Sequence, residues 1–91
     1  MAQASSEATV VRLPAEVDLH ARPAADFVRT AMRFGAEVQV STGEREANAK
    51  SLLSVLALGA KGGTELRLSA TGDDAAAAID ALSERVATLS D

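Results

Sequence analysis

Chemistry in this sequence concentrates on one histidine. His20 is the only imidazole of the chain, in the stretch DLHARPAADF, with a guanidinium two residues on at Arg22 and a proline at Pro23. Proline is welcome in the first turn of a helix, where its missing N–H has no partner to lose. The triplet therefore places His20 at or just before a helix N-cap. First-turn N–H groups lack intrahelical acceptors and point at that spot, and the helix dipole adds partial positive charge there. Such a place suits an anion. A ring nitrogen that took up a phosphoryl group would offer its new negative charge to those N–H groups and to Arg22, whose planar fork matches phosphate oxygens. The parts fit a transient phosphohistidine. They also fit a surface histidine with no role, and the triplet alone leaves both open. A Ser/His/Asp hydrolase is disfavoured, because that chemistry needs a cleft that a chain of 91 residues does not obviously provide.

Composition removes other classes. Without cysteine there are no disulfides and no zinc–thiolate sites, and a single histidine argues against a histidine metal site. No metal and no cofactor are expected. The net charge of −4 argues against a nucleic-acid partner, and two phenylalanines, Phe27 and Phe34, make no stacking platform. No apolar run is long enough for membrane insertion. The start, MAQASSEAT, is small and polar and lacks the marks of a signal peptide. It is expected to be a flexible lead-in over residues 1–8, followed by a single domain over 9–91.

The elements that must hold His20 are legible in the periodicity. TVVRLP alternates, with Val11 and Leu13 on one face; AEVQVS and TELRLSA alternate likewise, and Arg45 to Asn48 makes a short polar edge strand. A short extended piece, VDL, leads into His20. Period two with one polar face predicts an antiparallel sheet covered on one side. Between the strands, Ala24, Phe27, Val28 and Ala31 form one helical stripe within Arg22 to Phe34, stopped by Gly35. SLLSVLAL runs from Ser51 to Leu58, and Ile79, Leu82, Val86 and Leu89 mark a helix over 73–89 with Asp73 or Asp74 at its N-terminus. The order β-α-β-β-α-β-α predicts an α+β fold, a two-layer sandwich with three helices on one face of four strands.

Two motifs carry a resemblance. LHARPAADFV is similar to the active-site segment of the HPr family, the histidine-containing phosphocarriers of the bacterial sugar phosphotransferase system. AKSLLSVLALGA resembles that family's second signature, and the separation of the two and the following GTELRLSATGDD also match. The resemblance covers roughly residues 9–90. It implies an open-faced β-sandwich with sheet order 1-4-2-3, a cytoplasmic location, and a phosphoryl group taken on His20 Nδ1 from Enzyme I and passed to IIA components of sugar permeases. Arg22 then stabilises the phosphate and Pro23 starts the helix. An alternative within the resemblance is a regulatory, nitrogen-branch module whose phosphorylation state signals to a partner. A related regulatory branch lacks the histidine, and His20 argues against it.

Ser51 matches the serine that a dedicated kinase and phosphorylase modify in many relatives. As an N-cap its loss costs about 1 kcal/mol in any case, and phosphorylation adds roughly −1.5 to −2 charges. Leu52, Leu53, Val55 and Leu56 exceed one buried stripe. Leu52, Val55 and Leu56 are expected to face the core, and Leu53 to stand exposed beside His20. Rimmed by Arg22, Arg29 and Lys50, with Ala25 on the same helix, it forms the expected docking surface for acidic partners. Leu52 and Leu56 are counted with it at the edge. The interface is expected to be small and to exchange quickly, and the chain to be monomeric. Asp18, Met32 and Arg33 depart from the family pattern; Asp18 adds negative charge near a phosphohistidine.

Overall fold

In the computed structural model, which describes residues 5–90, the alternating segments become strands β1 (Ser5–Arg12), β2 (Glu37–Thr42), β3 (Arg45–Asn48) and β4 (Glu65–Gly72). The helical stripes become α1 (Ala21–Ala31), α2 (Leu52–Ala57) and α3 (Ala75–Thr88). All pairings are antiparallel in the order β1-β4-β2-β3, so the expected fold is found. Along β4, Leu66, Leu68 and Ala70 point into the core while Glu65, Arg67 and Thr71 face solvent. Val38 and Val40 do the same beside them on β2. Phe27 of α1 and Leu82 and Val86 of α3 close the layer from above, all fully buried. Among the described residues no helix is long and apolar enough to cross a membrane.

Several boundaries differ from the sequence reading. The expected lead-in is shorter: Ser5 to Ala8 extend β1 by pairing with Gly72 to Ser69, although their side chains are exposed. Backbone pairing alone draws them in. Residues 1–4 and 91 lie outside the described residues. VDL is not a strand; it is irregular chain held by the loop after α2. Helix α1 ends at Ala31 rather than Phe34, because Arg33 and Phe34 turn back to the carbonyls of Thr30 and Ala31, a tighter i→i+3 pattern. Asp74 stands at the N-cap of α3 but makes no cap bond. Its carboxylate instead accepts the N–H groups of Gly35 and Ala36 at 2.9 and 2.8 Å, tying the α1–β2 turn to the start of α3.

Candidate functional site

His20 reaches its position through the irregular segment from Leu13 to Leu19. Leu13, Val17 and Leu19 are buried anchors, and the backbone between them is fastened to residues 60–64. Leu13 N–H donates to Thr64 O at 3.0 Å, and Leu19 N–H to Ala60 O at 2.8 Å. Gly62 N–H donates to the Asp18 carboxylate at 2.8 Å. A Cβ on residue 62 would lie 2.3 Å from the Ala15 carbonyl oxygen, so only glycine allows this approach. The histidine is thus carried by two loops laced together, one residue beyond a buried leucine.

At the end of that segment His20 is the N-cap of α1, extended at φ −145° and ψ 172°, and its ring makes no cap bond to the helix. Its carbonyl accepts Ala24 N–H at 3.4 Å, and its side chain is exposed. Ala21 turns the chain into the helix at φ +49°, a left-handed conformation that costs an L-residue roughly 1–2 kcal/mol. Pro23 is buried in the first turn. The imidazole is left free of the helix that its backbone starts. Beside it Asp18, Leu19, Gly59, Ala60 and Lys61 complete a shallow open depression. Lys61 brings an exposed ammonium that the sequence reading did not name; its only sequence signal is its place before Gly62-Gly63.

The other expected site residues divide by location. Arg22 follows His20 in the first turn, exposed and without a hydrogen-bonding partner among the described residues. Ala25 is half-buried one turn on. Arg29 is exposed and pairs with Asp26 at 3.0 Å. Lys50 is not a free rim charge: its ammonium donates to the carbonyl of Phe34 at 2.6 Å. That contact fixes the packing of the helix pair. The start of α2 lies at the far end of α1, while the chain after α2 returns to His20 through Ala60. Lys50 therefore sits against the end of α1, and Ser51 follows it directly at the start of α2.

Ser51 is the N-cap of α2 and its hydroxyl accepts Ser54 N–H at 3.3 Å. Leu53 is 81% exposed, as expected; Leu52, counted with both the core face and the docking edge, is 41% exposed and so leaves the core face, while Val55 is buried and Leu56 partly so. A six-residue helix makes fewer than two turns, so its first residue overhangs the core. At this same far end lies Asp74. The N–H of Gly35 above all holds its carboxyl below the usual range, burial opposes this, and Ala36 N–H and the charge of Lys50 add to the lowering.

Residues 7–88 match the family model described as the PTS HPr component phosphorylation site. The phosphocarrier protein HPr of Haloferax volcanii is 45% identical over 84 residues, covering 90% of this chain and 93% of the relative. That of Haemophilus influenzae is 40% identical over 79 residues, covering 87% and 93%. Among solved structures, HPr-C-His from Thermoanaerobacter tengcongensis superposes with a TM-score of 0.86 at 36% identity, covering 90% of this chain and 92% of that one.

Proposed function

The chain belongs to the HPr family of phosphocarriers, and on that premise we propose that His20 accepts a phosphoryl group from phosphorylated Enzyme I and passes it to IIA components of sugar permeases in the cytoplasm. The observation that carries the reading is the exposed, uncapped imidazole at the mouth of α1. In the first half-reaction the His20 Nδ1 lone pair forms an N–P bond as the bond from phosphorus to the donor's carrying atom breaks and that atom keeps the electron pair. In the second, an acceptor nucleophile takes the phosphorus and His20 recovers its lone pair. Between the two, the phosphoryl oxygens meet the first-turn N–H groups and the fork of Arg22. Lys61 supplies a second nearby cation. Chemistry of this kind needs no enclosed pocket in the carrier, because the partner completes the site and excludes water.

Phosphorylation of Ser51 fits regulation through docking. The added charge would stand at the N-cap of α2, next to the exposed Leu52 and Leu53, where it would repel an acidic partner meeting them.

Incubation with Enzyme I and labelled phosphoenolpyruvate tests the reading. Acid-labile, alkali-stable label is expected on the wild type and none on His20→Ala; an unlabelled wild type overturns it. Arg22→Lys keeps the charge but loses the planar fork, so it is expected to transfer more slowly with unchanged stability. Onward transfer to a sugar-specific IIA rather than a nitrogen-type one separates the carrier from a signalling module.

A further inference from the structure

On the side of α1 away from α2, the helix packs beside α3 and leaves an open groove. Asp26, Arg29 and Thr30 line it from α1, Arg33 from the turn that follows, and Arg85 from α3, with Glu84 lining its adjoining part. Arg22, Arg29 and Arg33 recur at i, i+7 and i+11, one stripe of α1 continued past its end. In a chain of net charge −4, a line of arginines beginning beside His20 and widening into a groove is a local reversal of sign. Asp26 neutralises Arg29 at 3.0 Å. Arg33 and Arg85 are exposed and have no hydrogen-bonding or ionic partner among the described residues. Thr30, whose hydroxyl is bound to the Asp26 carbonyl at 2.9 Å, gives the groove a rigid floor.

From this we infer that the α1–α3 groove is a second docking contact, in which Arg33 and Arg85 receive carboxylates on an acidic surface of the protein that loads His20. The inference rests on the carrier reading and extends the contact surface to an element, α3, outside the residues assigned to docking above. Charge complementarity selects the occupant. Arg33, just past the end of α1, and Arg85 of α3 line the same groove without an ionic partner among the described residues, and carboxylates from a partner would neutralise both. Position selects the effect. Arg33 lies thirteen residues along from His20, about 20 Å at 1.5 Å per residue, too far to touch the reacting phosphorus. The groove therefore contributes to encounter and holding, and leaves the transfer step itself unchanged.

The test follows phosphoryl transfer from phosphorylated Enzyme I to the full chain as carrier concentration is varied, at low and high salt. The variants are Arg33→Glu/Arg85→Glu, Arg33→Lys/Arg85→Lys, and Arg67→Glu, which makes a charge reversal on the opposite, helix-free face of the sheet. All three positions are exposed, and melting curves check that the variants fold. The double glutamate variant is expected to raise KM about tenfold at low salt, the scale on which reversed rim charges change association. Its rate at saturation stays at the wild-type value, and the difference closes at high salt. The lysine pair restores most of the effect, and Arg67→Glu leaves KM within twofold. An unchanged KM in the glutamate variant overturns the groove, as does a lowered saturated rate at unchanged KM or an equal rise in Arg67→Glu. A wild type that takes no label overturns the carrier reading and this inference with it, so the two failures are told apart by the wild-type lane.

Discussion

Asp18 shows how a residue's meaning changes between sequence and fold. Read along the chain, it is a negative charge two residues before His20, with nothing to recommend it. In the fold its carboxylate accepts Gly62 N–H, and the segment bearing His20 is held to the loop that bears Lys61. A partly buried hydrogen bond to a charged acceptor contributes about 1.5–3 kcal/mol. Asp18→Ala is therefore expected to lower the free energy of unfolding by that amount, read as a lower urea midpoint at unchanged m-value, while Asp18→Asn, which keeps an acceptor, loses less. Equal midpoints for Asp18→Ala and the wild type would show that the bond contributes nothing. Gly62 was equally illegible: its requirement comes from the Ala15 carbonyl 2.3 Å from any Cβ, forty-seven positions away in sequence. Nor does an alanine announce a left-handed φ, yet Ala21 adopts one. The position of His20 at the mouth of α1 was legible because Pro23 and the apolar stripe of α1 announce the start of the helix. Lys61, brought to the site only by tertiary folding, was not.

Among the elements, the strands and helices with a strong apolar period were read correctly in kind and nearly in extent. Ala24, Phe27, Val28 and Ala31 announce α1 whatever surrounds them, and all four are buried. What periodicity misses is where an element stops, because its ends are decided by side chains from elsewhere. The end of α1 is the clearest case: Lys50 reaches the Phe34 carbonyl and Asp74 takes the next two N–H groups. The Asp74 tie has a pH signature. Its folded-state pKa is lowered, chiefly by the Gly35 N–H, so its stabilisation is fully present above the usual carboxyl value of 3.8. That stabilisation is lost as pH falls below 3.8 through the lower folded value. Asp74→Ala is expected to melt below the wild type at pH 7, and the gap to narrow progressively below pH 3.8. A gap that stays constant into the acid range would mean that the ionised carboxylate is not what holds the turn.

Across the whole molecule the connections sort into two ends. One gathers the loops at 13–20 and 59–64 around His20; the other gathers the end of α1, Lys50, Ser51, Gly72 and Asp74. A carrier benefits from that separation, since the site end must stay open to successive partners while the far end fixes the packing of all three helices. The extended start of β1 belongs to the far end, where Ser5 pairs with Gly72, and the end of β1 next to the site is Arg12 opposite Glu65. The side chains of Ser5 to Ala8 are exposed, so these residues contribute backbone pairing and little apolar burial. Net gains of about 0.5–1.5 kcal/mol per hydrogen bond stand against an ordering cost of about 1–2 kcal/mol per residue. The two nearly cancel. Deleting residues 1–8 is therefore expected to lower stability by no more than about 2 kcal/mol on these scales, with Val11 and Leu13 still anchoring the strand. Phosphoryl uptake at His20 is expected to be unchanged, because the loops that carry it lie at the opposite end. Urea denaturation and labelling of the shortened chain check both expectations together. A chain that no longer folds would mean that the edge pairing holds far more of the sheet than its exposed side chains imply.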